Sequence, residues 1–117
     1  MAGPTDEFIV RKNPDRIITN SAESGSLVTE IAYGKFNLLL TGDAPVDELT
    51  EIANTRLNIN LLQIPHHGSS TGVDGHVLDL LSPKLVVISV GKNNYGHPTS
   101  QTLGLLKERG LKVLRTD

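Results

Sequence analysis

Short apolar runs alternate with amphipathic stretches from residue 26 to the end of this 117-residue chain. Continuous or alternating apolar residues bounded by Gly, Pro and Asn predict strands, and apolar residues three or four positions apart predict helices. The pattern first predicts a β-hairpin over 27–40, with its turn at 33–35. A helix beginning at Pro45, a strand over 60–64 and a short helix around 77–81 follow. The last predicted elements are a strand over 85–90, a helix beginning at Thr99 or Ser100 and a strand over 111–114. A hairpin followed by alternating helices and strands predicts an α/β domain with a mixed sheet and flanking helices.

The first 25 residues differ from the rest of the chain because they are polar and irregular. Only the apolar runs 8–10 and 17–18 interrupt this segment, and each is a candidate short strand. The pattern therefore divides the chain into an irregular segment, 1–25, and one folded domain, 26–117.

Charge and composition narrow the function classes. The formal net charge is −2 and the eleven Lys and Arg residues are scattered, whereas autonomous tight binding to nucleic acid usually needs a basic patch. The chain has no cysteine, which excludes disulfides and thiolate metal sites. No apolar run approaches the 20 or so residues of a membrane span, so we expect the chain itself to be soluble.

Polar, chemistry-bearing residues follow three of the predicted strands directly. Asp43 follows the strand of the hairpin, His66 and His67 follow the strand over 60–64, and His97 lies in the loop after the strand over 85–90. Ligand sites in open α/β sheets lie at the carboxyl ends of the strands. A carboxylate and imidazoles at one such edge are suitable ligands for a metal ion.

Structural roles compete with this interpretation at every one of these positions. Asp43 precedes the helix that begins at Pro45 and is a candidate N-cap. Adjacent side chains leaving a strand point in opposite directions, so at most one of His66 and His67 should face a given site. His97 is placed to cap or pack the last helix, and we interpret His76 as structural or merely exposed.

The chain also lacks part of what a catalytic metal site requires. A catalytic zinc site takes three protein ligands and an open position, and a dinuclear site takes more. No H-x-H pattern or other pair of ligand-spaced histidines occurs in the sequence. Asp43 with one of the tandem histidines amounts to half a site.

Four sequence runs carry a resemblance to a known family. In order they are S-L-V-T-E-I-A-Y-G-K-F-N-L-L-L-T-G-D, L-L-Q-I-P-H-H-G-S-S, S-P-K-L-V-V-I-S-V-G-K-N-N-Y-G-H-P and L-K-V-L-R-T-D. Each run is weak alone, but their order and spacing are specific. Over residues 26–117 the chain resembles the metallo-β-lactamase superfamily and, within it, the C-terminal domain of the ComEC family of bacterial DNA-uptake competence proteins.

The resemblance implies a fold and a set of site residues. The fold is the second half of the metallo-β-lactamase αββα sandwich. Asp43 matches the aspartate that bridges two metal ions, and His66 matches a histidine ligand of the second metal, with His67 one place away as the alternative. His97 matches a histidine near the site, and the resemblance places His97 and His67 among the catalytic residues. The H-x-H-x-D-H motif of the first half is absent.

For the complete parent protein, the resemblance implies a metal-dependent phosphodiesterase or nuclease with a dinuclear Zn²⁺ or Mn²⁺ centre. Its substrate would be single-stranded DNA or another phosphodiester, and its location a bacterial cell membrane. We expect the isolated chain to need the missing N-terminal half, to bind metal weakly and to be inactive. Two alternatives stay open: a cell-surface hydrolase resembling phosphorylcholine esterases, and a non-catalytic structural module of the same fold.

Overall fold

A computed structural model describes residues 25–55 and 58–117. In this part of the chain, one sheet contains β1 (Thr29–Tyr33), β2 (Phe36–Leu40), β3 (Leu61–Gln63), β4 (Leu85–Ile88) and β5 (Lys112–Arg115) in that spatial order. The helices are α1 (Val46–Ala53), α2 (Gly75–Leu81) and α3 (Ser100–Glu108), and a 3₁₀ turn spans His66–Gly68. The predicted α/β class and mixed sheet are confirmed. The candidate strands at 8–10 and 17–18 lie outside the described residues.

The sheet is mixed because its first two strands form a hairpin. β1 pairs antiparallel with β2, and β2 through β5 pair in parallel. Tyr33 pairs with Phe36 across a two-residue loop whose Gly34 has a φ of +59°. A tight hairpin needs such a left-handed residue at this position, and glycine adopts it without steric cost.

Side chains cap the first turns of two helices. The Asp74 carboxylate accepts a hydrogen bond from the Val77 N–H at 2.9 Å at the start of α2. The Thr99 hydroxyl accepts one from the Thr102 N–H at 3.2 Å at the start of α3. Each cap satisfies one backbone donor that the first helical turn leaves free, which stabilises the helix by about 1 kcal/mol.

One face of the sheet carries the core. Each helix connects neighbouring parallel strands in the same direction along the sheet, so right-handed crossovers place α1, α2 and α3 on the same face. Alternate strand residues, among them Leu39, Leu62, Val86 and Ile88, point to this face and are buried. The helices cover them with buried apolar residues: Leu49, Ile52, Val77, Leu78, Leu81 and Leu106.

The other face of the sheet is apolar and largely uncovered. We call it the open face, and it is defined by exposed Ile31, Tyr33, Phe36, Leu40 and Leu114. Strand register places these residues on one side. Tyr33 pairs with Phe36, and Leu114 pairs with Val87, which is adjacent to buried Val86 and therefore points to the opposite face from the core. Contiguous exposed apolar residues of this kind mark an interaction surface in soluble proteins.

Glu48 is an exception within the helix-covered core. Glu48 is 1% exposed, and neither of its carboxylate oxygens has a hydrogen-bond partner among residues 25–55 and 58–117. Burial, together with the nearby charges of Asp47 and Glu51, raises the pKa of the Glu48 carboxyl to about 7. Burial is the larger cause, because it removes the charged carboxylate from water.

We expect the stability of the protein to depend on the protonation of Glu48. The folded carboxyl titrates near 7 and the ordinary value is 4.5, so its contribution is complete below about pH 4.5 and is lost as the pH rises through about 7. Between low and high pH, the free energy of unfolding should therefore fall by up to about 3 kcal/mol because of Glu48, at about 1.4 kcal/mol per pKa unit. The Glu48→Gln protein should lack this part of the pH dependence. Urea unfolding of both proteins at about pH 5 and about pH 8 measures it, and parallel pH profiles would contradict it.

None of the helices in the described part of the chain has the length and hydrophobicity needed to cross a membrane.

Candidate functional site

Three loops meet at the carboxyl edge of the parallel strands. They are the Asp43 loop (41–45) after β2, the tandem-histidine loop (64–72) after β3 and the His97 loop (89–99) after β4. The Thr41 hydroxyl donates to the Gln63 carbonyl at 2.9 Å, and the His66 N–H donates to the Gly42 carbonyl at 3.0 Å. These bonds join the first two loops directly, so the polar strand ends lie on one edge, as the strand pattern predicts.

Asp43 is exposed at this edge between β2 and α1. The N-cap residue of α1 is Pro45, which has no side-chain cap hydrogen bond, and the Asp47 carboxylate accepts from the Glu48 N–H at 3.0 Å within the first turn. Interpreting Asp43 as the N-cap is therefore wrong, because Ala44 and Pro45 separate it from the first helical residue. The Asp43 carboxylate therefore does not cap α1.

The tandem histidines adopt an unusual backbone conformation. His66 has a φ of +51°, His67 a φ of +53° and Gly68 a φ of +82°. For a residue with a side chain, this left-handed region costs roughly 1–2 kcal/mol, and strain of this kind clusters at functional sites. His66 and His67 are therefore not extended, and the expectation that their side chains point in opposite directions does not apply. Both imidazoles lie at the same edge as the His97 loop.

His67 is held by a backbone acceptor. Its Nδ1 lies 2.7 Å from the carbonyl oxygen of Ser89, at the end of β4. A carbonyl oxygen can only accept, so Nδ1 carries the proton and donates it. In the neutral imidazole Nε2 is then left as a lone-pair nitrogen, ready to take a proton or a metal ion. Metal-ligating histidines commonly have this kind of backbone partner.

His66, His97 and Tyr95 form a row of rings, which we call the aromatic row. The ring centroids of His66 and His97 are 5.8 Å apart and tilted by 58°, and those of His97 and Tyr95 are 6.1 Å apart with an angle of only 16°. The Nδ1 atom of His97 is buried without a hydrogen-bond partner in the described part of the chain. An unpaired buried nitrogen costs about 1–3 kcal/mol and requires an explanation, a functional role being one.

Asn93 holds the His97 loop in shape. Its Oδ1 accepts from the N–H groups of Tyr95 at 3.0 Å and His97 at 3.1 Å. Its Nδ2 donates to the carbonyls of Gly91 at 2.9 Å and His97 at 2.8 Å. One side-chain amide therefore supplies four bonds that fix the positions of Tyr95 and His97. Sequence reasoning missed this role, for which the Asn-Asn pair in a glycine-flanked loop was the available signal.

The tandem-histidine loop is also locked to the start of α3. The Thr99 N–H donates to the Gly68 carbonyl at 3.0 Å, and the hydroxyl of buried Thr102 donates to the Ser69 carbonyl at 3.1 Å. A Cβ atom added at Gly68 would lie 2.5 Å from Cβ of Pro98. Gly68 therefore approaches Pro98, the neighbour of His97, so closely that no side chain fits at position 68.

Comparisons with known proteins identify the family. ComE operon protein 3 of Bacillus subtilis (strain 168) is 38% identical over 100 residues, which make up 83% of this chain. Recombination protein 2 of Haemophilus influenzae is 35% identical over 82 residues, 70% of this chain, and competence protein ComA of Neisseria gonorrhoeae is 35% identical over 96 residues, 79% of it. The chain belongs to the ComEC family of competence proteins.

The similarity covers only a small share of these ComEC relatives. The matched region makes up 13% of the Bacillus subtilis protein, 10% of the Haemophilus influenzae protein and 14% of the Neisseria gonorrhoeae protein. The chain thus spans about a tenth to a seventh of their lengths. No protein-family model matches the chain.

The structure brings some of the candidate residues of this ComEC family chain together and leaves others apart. His66 and His97 are ring neighbours, and His67 and His97 line one pocket. The Asp43 loop is tied to His66 through the backbone of Gly42. Within residues 25–55 and 58–117, no group of three or more His, Cys, Asp or Glu residues is arranged to hold a metal ion. His76 lies exposed in the first turn of α2.

Proposed function

We propose that the chain is the second half of a metallo-β-lactamase-type domain. In the complete protein, this domain would hydrolyse phosphodiester bonds of single-stranded DNA in a metal-dependent reaction during competence. The observation that supports the proposal best is the convergence of His66, His67 and His97 with the Asp43 loop at one sheet edge. A stable sheet does not need strained, tandem imidazoles there, whereas a hydrolytic site does.

The donor types fit a metal, but the described residues do not complete its coordination. Carboxylate and imidazole are suitable ligands for Zn²⁺ and Mn²⁺, and Asp43 and His66 are the residues that we propose as ligands. Two such groups are fewer than a catalytic site needs, and no cluster of three occurs in the described part of the chain. We therefore propose that further ligands come from another part of the longer polypeptide.

The open face supports a second half of the fold. Two packed sheets bury their inner faces against each other, and an apolar sheet face left exposed is what one half of such a sandwich would present. Ile31, Phe36 and Leu114 lie on this face and are exposed. The ComEC relatives are several times longer than this chain, so the same polypeptide has room for the covering half and for membrane-spanning parts.

The residues of this chain have separate tasks in the proposed reaction. A bound pair of Zn²⁺ or Mn²⁺ ions would supply a hydroxide nucleophile and stabilise charge on the phosphoryl group. Asp43 and His66 would hold that centre. His67 keeps the proton on Nδ1 through Ser89, so its Nε2 is available to accept a proton at the reacting edge. Asn93 keeps His97 beside the substrate phosphate.

The isolated chain should bind zinc only weakly. We expect a dissociation constant above about 1 µM, because tight zinc sites take three or four protein ligands. Calorimetric titration of the 117-residue chain with Zn²⁺ measures this, and Asp43→Ala and His66→Ala should change it little. Stoichiometric, submicromolar binding that either substitution removes would show that the chain carries a complete site by itself.

Hydrolysis by the full-length family member that carries this sequence tests the function itself. We expect it to degrade labelled single-stranded DNA with added Zn²⁺ or Mn²⁺, and a chelator should stop the reaction. His66→Ala should remove the activity while circular dichroism stays unchanged. Unchanged hydrolysis in the His66→Ala protein would count against a role for this sheet edge, and metal-independent hydrolysis would count against the proposed chemistry.

A further inference from the structure

A pocket of about 190 Å³ lies beside His97 and Tyr95 of the aromatic row. It is lined by His67, Val90, Gly91, Lys92, Asn93, Tyr95 and His97. Clefts that bind drug-sized ligands usually measure about 300–1,000 Å³, so this pocket has room for a single ring-sized group. Its position between His67 and His97 makes it continuous with the proposed hydrolytic edge.

Tyr95 forms an exposed wall of this pocket. Its residue is 84% exposed, although its ring lies nearly parallel to that of His97, at an angle of 16°. One ring face is therefore directed to His97 and the other is open. Core packing does not explain an aromatic ring that is this exposed, and an open π-face next to an apolar pocket is suited to stacking with another flat ring.

The loop holds the Tyr95 backbone in place although the side chain is exposed. The Tyr95 N–H donates to Asn93 Oδ1 at 3.0 Å. The same side-chain amide accepts from the His97 N–H and donates to the His97 carbonyl. A rigid aromatic side chain loses little conformational entropy when a ligand stacks on it. Tyr95 is therefore prepared as a binding surface in the absence of any ligand.

The distances along the aromatic row match the layout of a nucleotide. Steps of 5.8 Å and 6.1 Å lead from His66, a proposed metal ligand, through His97 to Tyr95. In a DNA strand, each base is separated from its phosphate by one sugar. A phosphate at His66 and His97 would thus place a neighbouring base at Tyr95, and Lys92 in the same pocket offers a positive charge to the adjoining phosphate.

We propose that this pocket is a base-stacking subsite for single-stranded DNA, in which one nucleobase stacks on the exposed ring of Tyr95. The inference rests on the proposed function, because it takes the reacting phosphate to lie at the His66 and His97 edge. Every base has a π-face, so stacking of this kind tolerates any sequence. Bases inside a duplex are paired and stacked on one another, so only a single strand can present one to Tyr95.

The test compares two oligonucleotides that differ only in their bases. The 117-residue chain without added metal is titrated with a thymidine tetranucleotide and with an abasic tetranucleotide of the same backbone, and NMR chemical shifts report binding. One stacked base contributes about 1–3 kcal/mol, so the thymidine probe should bind about 5- to 150-fold more tightly. Resonances of residues 90–97 should shift, and a self-complementary duplex should show no base-dependent gain.

Matched variants assign the effect to one ring. Tyr95→Ala should reduce the preference for the thymidine probe to about one, and Tyr95→Phe should keep it because stacking does not need the hydroxyl. Lys92→Ala should weaken the binding of both oligonucleotides equally, because Lys92 interacts with the charge of the DNA backbone. Tyr33→Ala is the control, because Tyr33 is 86% exposed on the open face, away from the pocket.

Two outcomes would overturn the subsite. Equal binding of the two probes by the native chain, including no binding of either, means that no base is recognised. An unchanged preference in Tyr95→Ala means that another group recognises it. The proposed hydrolysis fails separately, because it is measured as metal-dependent DNA cleavage by the full-length protein, whereas the base preference is measured without metal.

Discussion

Gly68→Ala should be the most damaging small substitution in the described part of the chain, with an expected loss of about 2–5 kcal/mol. Two costs combine. The φ of +82° disfavours any residue with a Cβ by roughly 1–2 kcal/mol. The added atom would also lie 2.5 Å from Cβ of Pro98, and overpacking of this kind typically costs about 1–3 kcal/mol. Urea unfolding of the native and variant proteins measures the loss.

Two other glycines separate these costs. Gly34 also has a left-handed φ, +59°, but a Cβ atom there would meet nothing within 4 Å. Gly34→Ala should therefore destabilise the protein only through the cost of the left-handed backbone conformation. Gly104 lies inside α3 with open space around it, and Gly104→Ala should stabilise the protein by up to about 1 kcal/mol through helix propensity. If Gly68→Ala costs no more than Gly34→Ala, the close approach to Pro98 is not what positions the loop.

Asp43→Ala should abolish phosphodiester hydrolysis in the full-length protein while leaving its fold intact. Substitutions of groups that merely support metal ligands cost about 10- to 100-fold, so loss of Asp43, which we propose as a metal ligand, should exceed about 100-fold. The Asp43 carboxylate would hold the metal centre and offset part of its positive charge. Initial rates on labelled single-stranded DNA with Zn²⁺ or Mn²⁺ measure the effect.

The exposed histidine of α2 supplies the control for this experiment. His76→Ala removes an exposed imidazole of the same chain to which we assign no role in the reaction, and it should leave the rate unchanged. Asp43 is exposed and does not cap α1, so its removal should not change the unfolding midpoint. Full activity in a folded Asp43→Ala protein would favour a non-catalytic structural module over the proposed hydrolase.

Much of the fold could be predicted from local sequence signals. Strands and helices follow from apolar periodicity, Asp74 and Thr99 cap the helices that they precede, and Gly34 lies in the hairpin turn. Each of these depends on residues close together in the chain. The carboxyl edge shared by the polar loops follows in turn, because parallel strands end on the same side.

The detailed geometry of the candidate site could not be predicted in this way. The left-handed backbone of His66 and His67 depends on contacts of their loop with residues far away in the sequence, such as Thr99 with Gly68. The burial of Glu48 was also missed, because a Glu beside apolar Leu49 in a helix resembles a solvated position. Both features depend on tertiary packing, which periodicity does not encode.

The order of the strands in the sheet has a consequence for how the protein folds. From β1 to β5, each strand pairs with the one synthesised just before it. No strand must wait for a later one before it finds its neighbour, so the mean sequence separation of contacts across the sheet stays small, which favours fast folding. During translation, the hairpin can form first and each following strand can add to a finished edge as it leaves the ribosome.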